Sequence, residues 1–204
     1  MNPYIPSDIK NPRLIMGRRR QIIEGAVNLF IQKGFHKTTT REIAKACGLS
    51  IGSLYEYIQT KEDVLYLVCE DIHNQLEEEL RKATRSEMTG VDALRSCISS
   101  YLQLMETMRN SILLIYQETK SLPKEKRERV LQREEEITKL FMDVIETGRR
   151  DGSIPVEKEA IPLLAHNMLV LGQMWTFRQW SLKKSYTHEQ FVELQLAHLL
   201  SFLK

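Results

Sequence analysis

Gly48 is the residue around which this chain has to fold. Two short helical runs flank it, and a chain turns sharply between such runs where one residue takes a positive φ, which glycine does without steric cost. Before it, Thr39 and Glu42 have the spacing of a capping box, and Ile43, Ala44 and Cys47 fall on one face. After it, Ser50 is a favourable N-cap. Leu54 and Ile58 then point inward at i, i+4, leaving Ile51, Gly52, Ser53, Tyr55, Glu56 and Tyr57 mostly outside. Thr60 with Asp63 fits a second capping box and opens another helix. Helix, glycine turn, helix at this spacing is the helix-turn-helix pattern, whose second helix enters the DNA major groove. The plain alternative is a helical hairpin that never meets DNA.

The rest of the chain also reads as helix, with no alternating strand pattern. Residues 1–12 hold Pro3, Pro6 and Pro12 and no amphipathic period, which suits an extended arm. Helices are expected over 16–33, 61–85, 91–108, 110–120, 123–150, 156–182 and 187–203, with a turn at Asp151, Gly152 and Ser153. The fold class is therefore all-α. An N-terminal three-helix DNA-binding domain, with its arm, occupies residues 1–62. The helix starting at Lys61 joins it without a flexible linker to a helical body over 63–204, so a tilt of that helix must move the head.

Charge supports the division. Residues 1–61 hold ten Lys/Arg against four Asp/Glu, whereas the remainder holds 19 against 23. A basic module on a mildly acidic body is the footprint of a DNA-binding head on a sensing or pairing body. Cys47, Cys69 and Cys97 lie far apart, which fits reduced thiols in a cytoplasmic protein. No apolar run approaches the ~18 residues that span a bilayer, and no signal-peptide segment opens the chain, so no membrane partner is expected. The five histidines show no metal-ligand spacing, and neither a glycine-rich phosphate loop nor a nucleophile motif appears, so neither enzyme activity nor a metal or cofactor is expected.

Within the head, side-chain chemistry assigns roles. Thr39, Ser50, Ser53, Tyr55 and Tyr57 can donate to phosphate oxygens, while Arg41 and Lys61 supply charge. Arg18, with Arg19 and Arg20, is either a solvated helix start or a phosphate contact. Base reading falls to Ser50, Ile51, Gly52 and Glu56, the last with solvent as an equal alternative. With no Arg, Lys, Asn or Gln in the second helix before Gln59, DNA shape carries a substantial share of specificity.

Across residues 18–65 the chain resembles the TetR family of bacterial one-component transcription regulators. The residues carrying the resemblance include Ile23, Ala26, Phe30, Gly34, Thr38, Thr39, Ile43, Ala44, Gly48, Leu49, Leu54, Tyr55, Tyr57, Lys61 and Leu65. It implies that Thr39, Tyr55, Tyr57 and Lys61 clamp the DNA backbone. It also implies a homodimer formed through the last two helices, the first of which is rich in Leu and Met with Trp175, Phe177 and Trp180 and is interrupted by His166, Asn167, Gly172 and Gln173. Small Gly172 would let a partner helix pack closely. The resemblance further implies an effector pocket among the middle helices. Tyr101, Leu104, Met105, Met108, Ile112, Ile115, Tyr116, Phe141 and Ile145, with Trp175, are either its walls or an ordinary core stripe.

The expected protein is thus a cytoplasmic dimeric repressor released from a pseudo-palindromic, double-stranded operator by a small apolar effector. The segment LLIYQETKSLPKE resembles members responsive to acyl-CoA or fatty-acid derivatives, and Arg109, Lys120, Arg149 and Arg150 offer cations for a polyphosphate head. The alternative is a ligand-independent architectural or division-associated DNA binder of the same fold. The charge run from Lys124 to Lys139 reads as a solvated helix face laced with i, i+4 pairs.

Overall fold

The computed structural model describes Ile5, Ile9 and residues 11–84 and 87–201. Among the described residues there are nine α-helices and no strand: α1 Pro12–Lys33, α2 Thr40–Ala46, α3 Ile51–Tyr55, α4 Lys61–Ala83, α5 Gly90–Thr107, α6 Arg109–Glu118, α7 Lys124–Asp151, α8 Ile161–Leu182 and α9 His188–Leu199. Short 3₁₀ turns at Thr119–Ser121 and Lys158–Ala160 precede α7 and α8. Arg85 and Leu203, the expected ends of the fourth and last helices, lie outside the described residues, as does most of the expected N-terminal arm.

Two helices start elsewhere than the periodicity suggests. α1 opens at Pro12 because Asn11 accepts from the Arg13 and Leu14 amides and proline suits a first turn. α8 opens at Ile161 rather than 156. Pro155 biases the chain before it to an extended form, Glu157 is itself extended, and Pro162 falls in the first turn of the helix proper. The turn over 151–153 is present, with Gly152 at φ 78°.

The chain divides into two compact units, Met1–Ile72 with Leu113–Leu131, and His73–Ile112 with Gln132–Lys204. In the first, α1 buries Ile15, Arg19, Ile22, Ala26 and Phe30 along one stripe, with Phe35 edge-on to Phe30 at 5.2 Å. α1 crosses the end of α2 so closely that a Cβ on Gly25 would lie 2.7 Å from Cys47 Sγ. Residues 63–69 of α4 are buried on every side, not on one stripe alone. Leu114, Leu122 and Val130, from the 113–131 part of this unit, are buried as well. Each such aliphatic side chain contributes about 1.5–3 kcal/mol.

In the second unit α5 packs on α8 and α9. Gly90 meets α7 backbone to backbone, since a Cβ there would lie 2.1 Å from Gly148 Cα. Asp151 Oδ2 then accepts from the Gly90 amide at 2.7 Å, and Ser153 Oγ from the Val91 amide at 3.0 Å, so the 151–153 turn caps α5. Gly172 makes room for the Tyr101 ring, which a Cβ would meet at 2.4 Å. Its smallness therefore serves α5 of the same chain, not the partner helix expected from the sequence. The α7 charge run also departs from expectation. Arg133 is buried and bridges Glu77 at 2.8 Å and Asn74 at 3.0 Å, so part of that face is tertiary.

Candidate functional site

The head is shaped by its caps. Thr39 Oγ1 accepts from the Glu42 amide at 3.3 Å, and Glu42 Oε2 receives the Thr39 amide at 2.9 Å, closing the expected capping box. Glu42 is fully charged there: Lys33 ammonium first, then the Thr39 amide and hydroxyl, hold its carboxyl down to about 2. Gly48 sits at φ 64° and ends α2, as its place in the sequence requires. Ser50 Oγ caps α3 by accepting from the Ser53 amide at 3.0 Å. Tyr55 hydroxyl and Thr40 Oγ1 lie 3.2 Å apart and tie α3 to the start of α2.

These bonds fix an outward-facing surface. Thr39, Arg41, Ser50, Ile51, Gly52 and Tyr55 are exposed, Ser53 and Arg18 half-buried. A Cβ on Gly52 would touch only Ser50 Oγ, at 3.8 Å, so the backbone of α3 is open to close approach. Arg18 NH1 donates to Gln21 at 2.9 Å.

Two expected contacts stand differently. Tyr57 is only 4% exposed, which corrects the expectation that it faces outward: it belongs to the head core. Lys61 is half-buried, with its ammonium on the Phe35 and His36 carbonyls at 2.8 and 3.2 Å and 4.4 Å above the Phe35 ring. It closes the loop after α1.

Arg19 is the functional-looking residue that the sequence reading misplaced. Instead of standing beside Arg18 as a phosphate contact, it is buried, donating to the Ile5 carbonyl at 2.7 Å and the Tyr57 carbonyl at 3.3 Å. Burial lowers its pKa and the Asp63 carboxylate partly offsets this; the guanidinium remains a cation. The signal was available: Ile15, Arg19, Ile22, Ala26 and Phe30 follow one helical stripe.

Asp63 completes this node. Its Oδ2 accepts from the Gln59 and Thr60 amides at 2.7 and 2.9 Å, which realises the second capping box, and its Oδ1 pairs with Lys126 of α7. Burial pushes the carboxyl up, but Lys126 and the two amides outweigh it, and the net direction is down. The turn leading from α3 into α4 is thus pinned by Arg19, Asp63 and Lys126.

The residues expected to bind an effector are mostly buried or half-buried. Tyr101, Met105, Ile112, Phe141, Ile145 and Trp175 are buried, and Leu104, Met108 and Ile115 half-buried. Tyr116 is 71% exposed, so the expectation that it walls a pocket is corrected. Ile115 and Tyr116 belong to the unit that contains the head, the other eight to the second unit. Trp175 is fixed by its indole N–H donating to Glu106 at 2.6 Å and by Phe191 at 4.9 Å.

The second unit has a cavity of about 330 Å³ whose walls include Leu80 of α4, Thr84 just after it, Ala93 and Cys97 of α5, and Phe141, Val144 and Thr147 of α7. Of the ten expected residues, Phe141 alone lines it.

Comparison with known proteins agrees with this anatomy. Residues 22–66 match the family described as bacterial regulatory proteins, tetR family, and residues 87–180 match the tetracyclin repressor-like C-terminal domain. The transcriptional regulator HbdR of Aromatoleum sp. (strain CIB) is 25% identical over 93% of this chain and 82% of its own length. A tetR-family regulatory protein from Rhodococcus RHA1 superposes with a TM-score of 0.79 at 24% identity, over 91% of this chain and 96% of that one. AibR, solved with isovaleryl coenzyme A and operator DNA, superposes at 0.73 with 22% identity, over 89% and 97%. The curated relatives are regulators and not enzymes, and among the described residues no helix is long and apolar enough to cross a membrane. With a capped helix-turn-helix at its N-terminus and a matching helical body after it, this chain belongs to the TetR family of DNA-binding transcriptional regulators.

Proposed function

We propose that the protein is a cytoplasmic homodimeric repressor that leaves a pseudo-palindromic operator when a small apolar effector, such as an acyl-CoA, binds its body. The observation carrying the dimer is the apolar surface left on the last two helices. Leu163, Val170, Trp180 and Leu194 are 67, 63, 62 and 56% exposed. Large apolar side chains left exposed on both of these helices mark a surface that another molecule covers, and a two-fold pairing covers it with itself. Two recognition helices about 34–36 Å apart would then read two half-sites.

On DNA, Thr39, Ser50, Ser53 and Tyr55 hold phosphates, with Arg41 and Arg18 supplying charge. Ile51 and the open backbone at Gly52 meet base edges. Lys61 and Tyr57 act from behind by setting the angle at which α3 is presented. The cavity in the body favours a ligand-responsive protein over a ligand-independent architectural binder, which needs none. Release follows by linkage: an effector preferring a conformation with misplaced heads weakens DNA by the same factor that DNA weakens the effector.

The test is a pair of variants measured by sedimentation and by anisotropy on an operator selected from genomic fragments. Leu163→Glu with Trp180→Glu should give a monomer that has lost specific DNA binding. Arg41→Ala should stay dimeric, weaken every sequence alike and reduce the salt slope by about one. A monomer retaining full operator affinity would sink the dimer reading.

A further inference from the structure

The three arginines of the 18–20 run meet three different partners, and the difference assigns a role to the residue after them. Arg20 lies beside the Glu24 carboxylate at 3.3 Å on the exposed side of α1. Arg19 is occupied by the carbonyls of Ile5 and Tyr57. Arg18 NH1 instead donates to a neutral acceptor, Gln21 Oε1, at 2.9 Å. Three positions apart, the two side chains share one face of α1.

Gln21 makes a second bond, from its Nε2 to the Cys47 carbonyl at 2.5 Å. Cys47 is the C-cap of α2, and its carbonyl is one of those that a helix end leaves without an intrahelical donor. Gly48 follows and makes the turn at φ 64°, and Ser50 then caps α3. The Cys47–Gly48 peptide is therefore the first link from α2 towards the helix offered to DNA. Gln21 reaches it because α1 passes close by, where a Cβ on Gly25 would crowd Cys47 Sγ.

The bridge selects glutamine. An amide presents an acceptor and a donor on one rigid plane; here the acceptor faces a guanidinium and the donor a carbonyl. Glutamate would accept from Arg18 but repel the Cys47 carbonyl, and lysine would do the reverse. Asparagine is one methylene short. Arg18 and Gln21 are both half-buried, so their bond is partly shielded from water.

We propose that Gln21 is a positioning residue for DNA binding. It holds Arg18 in one attitude and ties that attitude to the turn ahead of α3, so that phosphate contact and base reading keep a fixed relation. The inference rests on the reading of Arg18 as a phosphate contact. Its size follows from side-chain ordering: immobilising a long side chain at an interface weakens binding roughly three- to tenfold, and Gln21 has already ordered Arg18 in the free protein. Charge is untouched, so loss of Gln21 lowers affinity without changing the number of counterions released.

The experiment titrates full-length wild type, Gln21→Met, Arg18→Met and the double variant onto a labelled duplex carrying the strongest-bound genomic fragment, over a range of salt. Gln21→Met keeps the length of the side chain and removes both bonds. It should bind about three- to tenfold more weakly for each subunit engaged, with an unchanged slope of log affinity against log salt. Arg18→Met should lower that slope by about one for each subunit. Adding Gln21→Met to Arg18→Met should then cost less than about twofold. Should Gln21→Met fail to fold, Gln21→Asn, which cannot span both partners, takes its place. If Arg18→Met lowers the slope but Gln21→Met binds like wild type, or if the Gln21 loss persists in full without Arg18, the positioning role is overturned and the phosphate contact stands. An unchanged slope in Arg18→Met overturns the phosphate contact and the inference with it.

Discussion

The head and the body of this protein solve the same problem, satisfying polar groups around a helical core, by different routes. In the head most capping bonds span two to four residues: Asn11 to Leu14, Thr39 to Glu42, Ser50 to Ser53, Thr60 to Asp63. In the body the decisive ones join distant helices. Asp151 reaches the Gly90 amide, Glu106 receives the Trp175 indole and the Gln179 amide, and Thr176 donates to the Met105 carbonyl. Local bonds shape a surface before any partner arrives, which suits a module that must present α3 in a fixed attitude. Long-range bonds set how helices lie against one another, which suits a unit that encloses a cavity.

Asp63 is where the head departs from its own rule, so it is the sharpest place to break the comparison. Asp63→Asn should destabilise the protein at pH 7 by about 3–5 kcal/mol, because Lys126 is left as a buried charge without its partner. The pH dependence follows from the lowered carboxyl value. Stability from the charged form is fully present above the ordinary 3.8 and is lost as pH falls through the lower folded value. Urea midpoints between pH 2 and 7 should therefore converge for wild type and variant at the acid end. A constant gap would remove Asp63 as the source.

The next largest effect belongs to the body. Gly90→Ala places a Cβ against the Gly148 backbone, where no side chain can swing aside. About 3 kcal/mol should be lost, mainly from the second unit. Hydrogen exchange should show amides of α5 and α7 opening while those of α1 and α2 keep their protection. Equal loss in both units would show that they unfold as one and that the contrast is structural only.

Smallest is Thr39→Ala, which removes one cap. About 1 kcal/mol is expected, detected as a modest shift in thermal midpoint and faster amide exchange confined to the start of α2. The same variant should weaken operator binding by more than its stability loss alone explains, if Thr39 also holds a phosphate. An unchanged operator affinity would assign it to capping alone.

The contrast also explains what could be read in advance. Capping boxes, the glycine at φ 64° and the helical periods are functions of neighbours a few residues apart, so the all-α class, the helix-turn-helix and most of the exposed residues on α3 follow from the sequence. Arg19 shows the limit. Its position on the apolar stripe was legible, but three consecutive arginines read as one basic patch, and a buried cation is expected only when its acceptors are known. Those acceptors, the carbonyls of Ile5 and Tyr57, come from distant parts of the chain.

The candidate effector site was less legible still. Methionine, tyrosine and isoleucine at helical spacing look alike whether they fill a core or line a void, because hydrophobic period reports a buried face and not what lies opposite it. The sequence by itself determined the all-α class, the capping boxes of the head, the glycine turn and the basic excess of the N-terminal residues. Only the tertiary structure decided that Gly172 faces Tyr101, that Tyr57 is buried, and that the body's space opens beside Cys97 and Phe141. The physical reason is range: caps and periods are set within a turn or two of helix, whereas a cavity is what remains after helices distant in sequence have packed.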